Sequence, residues 1–389
     1  MKIIPFFILT TILMAFCLPS ESFGQRPAKV VTIVKENHDF EYYRNLAQQW
    51  KEFLGKNPAD ADAWFNYYCA NRYARMFRKD YNALKVDYFQ DLTGILKESS
   101  KAIPNTYEYY FMKASEESLP QLVKEKTILR AYEMGKTRPE VLPLMVNFYE
   151  LQGLTKGRAE IAEQWFNSNN MSPALLNYNY NVLMSVADNA VLFTNGDNDT
   201  YPLWLLQDAL GVKKNVKVLN IFLLGSLKEY RDRIFSELQL PAFSPNSGEQ
   251  VPDFKELIHF ILINSKRPVY IANTVYRDTY ESESIDDSLY LTGLAMMFSH
   301  ENVDNIALLR KAFENGFLLD YLNQGFTNDP GMGLVNYMNL GYVPMLIKLC
   351  EHYTLTGEKE KALKSKQLGL KIAKTVGMES EYSGKFACE

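Results

Sequence analysis

Residues that usually carry chemistry are scarce: the 389-residue chain has four histidines, four tryptophans and four cysteines. His38, His259, His300 and His352 lie far apart and build no H-E-x-x-H or other paired metal-ligand motif. No G-x-S-x-G elbow and no P-loop occurs. Cys17, Cys69, Cys350 and Cys388 form no C-x-x-C, which excludes a zinc knuckle or thioredoxin-type motif. Cys17 falls in a leader-like segment. The other three read as buried free thiols, with a Cys350–Cys388 bridge as the alternative in an oxidising compartment. A dominant charge is missing as well. The net charge is -4 and no long Lys/Arg run exists, which argues against nucleic acid as a partner. Beyond the N-terminus, no stretch is long and apolar enough to span a bilayer.

What is present is an ordinary globular balance, 47% hydrophobic and 23% charged, in a chain long enough for two or three cores. The excess is aromatic, with 25 Tyr and 23 Phe. Helical repeats use such rings as packing wedges and glycan-binding surfaces use them as platforms; packing is the preferred reading. The opening "MKIIPFFILTTILMAFCLPSESFGQ" sets Lys2 before a short apolar run, Ile3 to Leu18, and a polar break. It reads as an export signal over residues 1–24, with Ser22 and Gly24 before the cleavage point. A lipoprotein signal fits poorly because Phe16, instead of a small residue, precedes Cys17. The expected location is the periplasm or the exterior.

Three rhythms follow. Residues 25–188 read as helical hairpins: "FEYYRNLAQQWKEFLG" repeats apolar residues at three- and four-residue steps and stops at Gly55. Helix starts are expected near Pro58, Pro104, Pro139 and Pro173, the last three of which lie 35 and 34 residues apart, the tetratricopeptide period. Tyr149 and Gly153 form a Y-x-x-x-G step. Residues 189–300 alternate aliphatic runs with helical ones. "AVLFT", "NVKVLNIFLL" and "PVYIANTV" read as strands aliphatic on both faces, hence a small Rossmann-like parallel sheet with right-handed crossovers. "LPAFSPNSGEQVPDF" reads as a turn-rich excursion. Residues 301–389 return to helices, with Leu349, Tyr353, Gly357 and Ala362 at tetratricopeptide spacing. The fold class is therefore α/β plus α, a small sheet flanked by tetratricopeptide-like hairpins.

Ligands of parallel sheets bind beyond the carboxyl ends of the strands. The first strand ends in Asn195, Gly196, Asp197, Asn198, Asp199 and Thr200. The second offers Gly225 and Ser226; the third offers Asn273, Thr274, Tyr276 and Arg277. Candidate ligand-binding residues are Asn195, Asp197, Asp199, Thr200, Asn273 and Thr274, with Asp197 and Asp199 as candidate ligands of a divalent cation. Three readings of the acidic block compete. Asn195, Asp197 and Asp199 resemble the start of a calcium loop, but Thr200 stands where glycine is needed and Leu206 where glutamate is needed. Asp197-Asn198-Asp199 has the D-x-D form of metal-dependent glycosyltransferases. Alternatively, Asp199 or Thr200 caps the following helix, with Pro202 in its first turn, and Asp197 holds the loop. "NDT" at Asn198 is also formally an N-glycosylation acceptor.

"LFTNGDNDTYPLWLLQ", "VKVLNIFLL", "RPVYIANTV" and "LYLTGLAMMF" resemble the exported C-terminal region of a bacterial membrane family that is protein O-mannosyltransferase-like. The resemblance covers roughly residues 173–373 and centres on Gly196 to Trp204. It implies helices of tetratricopeptide type after a multi-span membrane domain that this sequence does not show, and "GSLKEYRD" departs from the more aromatic, acidic segment of the family. A free-standing accessory domain is the expectation: a non-catalytic binding or scaffold protein whose partner is a protein or glycan of the cell envelope. The alternative is a metal-dependent enzyme of glycan or phosphate chemistry.

Overall fold

The computed structural model describes residues 26–77, 85–116, 118–245, 252–323 and 329–386, with side chains left aside over 85–91. The leader and Cys388 lie outside the described residues, as does the middle of the turn-rich excursion.

The described residues open with eight α-helices: α1 (Phe40–Lys56), α2 (Ala61–Met76), α3 (Lys85–Ala102), α4 (Tyr107–Ala114), α5 (Gln121–Met134), α6 (Leu142–Leu151), α7 (Thr155–Asn167) and α8 (Pro173–Met184). Each of the four prolines expected at a helix start lies within three residues of one; α6 has no side-chain cap, and at the other three starts the cap is another side chain. Asp60 accepts from Ala63 N–H at 2.9 Å, Thr106 from Tyr109 N–H at 3.2 Å and Ser172 from Leu175 N–H at 3.2 Å. Asn57, beside Pro58, closes α1, its backbone N–H donating to the Phe53 and Leu54 carbonyls.

The α/β part follows as β1 (Val191–Thr194), α9 (Asp197–Leu210), β2 (Lys217–Asn220), α10 (Ile221–Ser226), α11 (Lys228–Glu237), α12 (Phe254–Asn264), β3 (Val269–Ala272), β4 (Leu289–Leu291) and β5 (Ala295–Phe298). The sheet order is β2-β1-β3-β5-β4. β1 pairs parallel with both β2 and β3, so the three aliphatic runs are neighbours. The sheet as a whole is mixed, because β5 runs antiparallel to β3 and β4 antiparallel to β5. The second run is also shorter than its aliphatic character suggests. Asn220 accepts from the N–H groups of Phe222 and Leu223 at 3.0 and 3.1 Å, which turns the chain into α10. Gly225 and Ser226 thus end a helix instead of a strand.

Side chains alternate across the sheet with period two. Val191, Phe193, Leu219, Val269 and Ile271 pack on Tyr230, Ile234, Leu257 and Ile261 of α11 and α12. Leu192, Val218, Tyr270 and Ala272 face the other way, into a cluster that runs from Val30 to Phe386 and takes in both helical regions. Trp50, Trp165 and Trp204 are fully buried, so these rings serve as core.

Six α-helices follow among the described residues: α13 (Asn305–Lys311), α14 (Asp320–Asn323), α15 (Met332–Met338), α16 (Val343–Leu355), α17 (Lys359–Thr375) and α18 (Glu379–Ser383). The α6–α7 and α16–α17 hairpins turn alike. Gly153 and Gly357 sit at φ +69 and +77, and the N–H of the next residue donates to the carbonyl of Tyr149 or Tyr353 at 2.9 or 2.8 Å. This is the Schellman bond, which needs a residue free to be left-handed. Cys69 is a buried free thiol, as read, while Cys350 is disulfide-bonded and so departs from that reading. Among the described residues, no helix is long and apolar enough to cross a membrane.

Candidate functional site

A strand that ends in Thr194 and meets a helix N-terminus at once must satisfy several loose polar groups. The acidic block does so from within. α9 begins at Asp197, earlier than the sequence suggested, with Gly196 at the cap position. Asp199, in the first turn, reaches back: one carboxylate oxygen accepts from Gly196 N–H at 2.7 Å and the other from Asn195 N–H at 2.7 Å. The Thr274 hydroxyl, arriving from the end of β3, donates to the same Asp199 oxygen as Asn195. The acid is 3% exposed. Burial raises its pKa above the ordinary carboxylate value, opposed by the Thr274 hydroxyl and the backbone donors.

Thr200 is wholly buried and structural. Its hydroxyl lies 2.7 Å from that of Thr194 and accepts from Asn220 at 3.0 Å, which joins the ends of β1 and β2. The Asn273 amide donates to the carbonyls of Gly293 and Gly341 at 3.2 and 3.1 Å and fastens β3 to the C-terminal helices. Four of the six sequence candidates thus bind neighbouring strands and loops: Asp199, Thr200, Asn273 and Thr274, the last as a donor to the first.

The other groups face open space. A cavity of about 660 Å³ lies beyond the ends of β1 and β3, lined by Asn195, Asp197, Asp199, Asn273 and Thr274 but not by Thr200. Its other walls come from Tyr276, Arg277 and Tyr280 after β3, from Leu291 and Met296 of the β4–β5 hairpin, and from α15 and α16 through Leu334, Tyr337, Met338 and Lys348. The contribution of α15 and α16 had no signal in the sequence, because nothing local to Tyr337 or Lys348 marks which strand ends they will face.

Asp197 is accessible within this cavity. Enclosure by the surrounding protein raises its pKa from the ordinary carboxylate value, while the Arg72 guanidinium and a hydrogen bond from Tyr201 pull it down. Asp197 and Asp199 are two residues apart at a helix start, a spacing that does not turn two side chains toward each other. Asp199 already holds three donors. The pair therefore makes a poor chelate for a cation, and among the described residues no group of three or more His, Cys, Asp or Glu could hold a metal ion.

A family model described as TMEM260-associated domain 2 matches residues 175–229, from α8 into α11, and so contains the Gly196–Trp204 block. No curated protein and no solved structure matches the chain. Over that segment, the chain is similar to the TMEM260-associated domain.

Proposed function

We propose that this chain is a non-catalytic binding protein that works outside the cytoplasm and takes its ligand, a protein or glycan of the cell envelope, in the cavity beyond β1 and β3. The observation that carries the reading is the division of labour in the acidic block. Asp199 and Thr200 are committed to holding the sheet, which leaves a crevice lined by tyrosines, amides and apolar side chains beside Asp197, Arg277 and Lys348, the arginine being paired with Glu281. Export is supported by the leader-like opening and by the disulfide at Cys350, since such bridges persist in oxidising compartments. Kinship with a membrane family of protein O-mannosyltransferase type, through the matched segment, supports a role near envelope glycans.

The test is thermal melting of the purified chain with a soluble extract of the cell envelope, beside a Tyr276→Ala/Tyr337→Ala variant. The expected outcome is a rise in Tm for the wild type, indifferent to EDTA and missing in the variant. A rise that needs Mn²⁺ or Ca²⁺ and vanishes with Asp197→Ala would overturn this reading in favour of a metal-dependent enzyme.

A further inference from the structure

We infer that the ligand of this cavity is a neutral saccharide, a step that rests on the binding reading above and adds the chemical class. Two tyrosines on its wall are unusually open: Tyr276 is 69% exposed and Tyr337 66%. Neither ring stacks on another aromatic ring among the described residues. Exposed rings with no packing partner offer flat apolar faces, and a pyranose presents a matching face of C–H groups. The volume, about 660 Å³, falls within the range of small-ligand sites.

Hydrogen bonding at the base of the cavity points the same way. Asn195 and Asn198 line it, and each keeps a side-chain carbonyl oxygen buried without a partner among the described residues. Tyr178, wholly buried, has a hydroxyl in the same condition. It lies directly beneath the lining residue Gly341, where an added Cβ would come within 2.9 Å of it. Buried acceptors left unpaired are costly and uncommon. The terminal torsion of an asparagine is soft, so a small turn presents its oxygen to an entering hydroxyl without a change of rotamer at χ1. Sugar hydroxyls supply donors and acceptors together.

Charge in the lining is mixed, Asp197 against Arg277 and Lys348, so it selects no single sign of ligand charge. Arg277 is moreover held in an ion pair by Glu281. An extended peptide takes its affinity from a free strand edge, but this cavity lies at strand ends, and the sheet edges are β2 and β4. An uncharged, hydroxyl-rich ligand with an apolar face satisfies all of these constraints.

The experiment is a printed array of neutral, acidic and amino-sugar oligosaccharides probed with the whole chain, followed by titration calorimetry of each hit. Neutral glycans should be retained. Tyr337→Ala and Asn198→Ala should each weaken Kd about tenfold, the cost of one lost contact of this kind, with the melting temperature unchanged. Retention of acidic or amino sugars alone, or neutral binding indifferent to Tyr337→Ala and Asn198→Ala, overturns the inference. A blank array beside an extract-dependent Tm rise that still needs Tyr276 and Tyr337 sinks the saccharide and leaves the binding role; a blank in both sinks both.

Discussion

At the scale of single residues, two acids of one motif have opposite duties, and the environment of each decides which. Asp197 keeps surface in the cavity, whereas Asp199 is closed in by two backbone N–H groups and a threonine hydroxyl. Asp199→Asn keeps the shape but points an amide N–H₂ at a backbone donor, leaving one N–H unpaired at a cost of about 1–3 kcal/mol. Asp199→Ala should cost more, since both donors lose their acceptor. Urea midpoints at constant slope would measure this. The pH dependence follows from the raised pKa of Asp199. Such a carboxyl contributes stability on protonation, in full below the unfolded value near ~3.9, and that contribution fades as pH rises through the folded pKa. The gap between wild type and Asp199→Asn should therefore widen as pH falls. An equal gap from pH 7 to pH 4 would refute this account of Asp199. The sequence displayed the motif and the option of a cap, but not the split, because burial and the approach of Thr274 are set by residues 75 positions away in the chain.

Elements were legible where one local rule governs them and illegible where two compete. The Y-x-x-x-G steps at Tyr149 and Tyr353 mark hairpin turns because a left-handed glycine is a local necessity, and both form the same bond. Gly357 has open space around a notional Cβ, so Gly357→Ala isolates the backbone term: about 1 kcal/mol of destabilisation from φ alone, read as a lower Tm, with Gly357→Asn less affected. Gly153→Ala should cost more, since a Cβ there would come within 3.2 Å of the Arg233 side chain. Equal losses at the two glycines would show that the crowding at Gly153 is relieved freely. The second strand shows the opposite situation. "NVKVLNIFLL" is uniformly aliphatic, so hydrophobicity cannot say where the strand stops; the Asn220 side chain ends it by capping α10. β4 and β5 are three and four residues long, too short for alternation to register, and they turn a parallel sheet into a mixed one.

Across the whole molecule, the helical array and the sheet are joined by a buried ionic knot as well as by apolar contact. Glu150, at the end of α6, is 3% exposed. Its carboxylate takes the Arg158 guanidinium from α7 and the Tyr230 hydroxyl from α11, the latter at 3.1 Å. Arg158 in turn holds Asp208 of α9 at 2.8 and 3.1 Å and lies 5.4 Å from the centroid of the Trp204 ring. Arg233 of α11 donates to the Glu150 backbone carbonyl at 2.6 Å. Removing Glu150 leaves the buried Tyr230 hydroxyl and one Arg158 N–H without an acceptor, at about 1–3 kcal/mol for each group, while Asp208 still pairs with Arg158. Glu150→Ala should therefore lower stability by an amount of that order, while Glu150→Gln, which still accepts from Arg158 and Tyr230, loses less. The same connectivity decides how the chain unfolds. Because the cluster from Val30 to Phe386 crosses from helices to sheet and back, α6–α7 cannot leave without uncovering Trp204 and the α9 face of the sheet. Wild-type urea melts followed by tryptophan fluorescence, whose reporters sit in α1, α2, α7 and α9, should coincide with those followed by far-ultraviolet dichroism. Glu150→Ala should shift both together; a fluorescence transition that separates from the dichroism in that variant would mean that the knot, and not the shared core, is what couples the two regions.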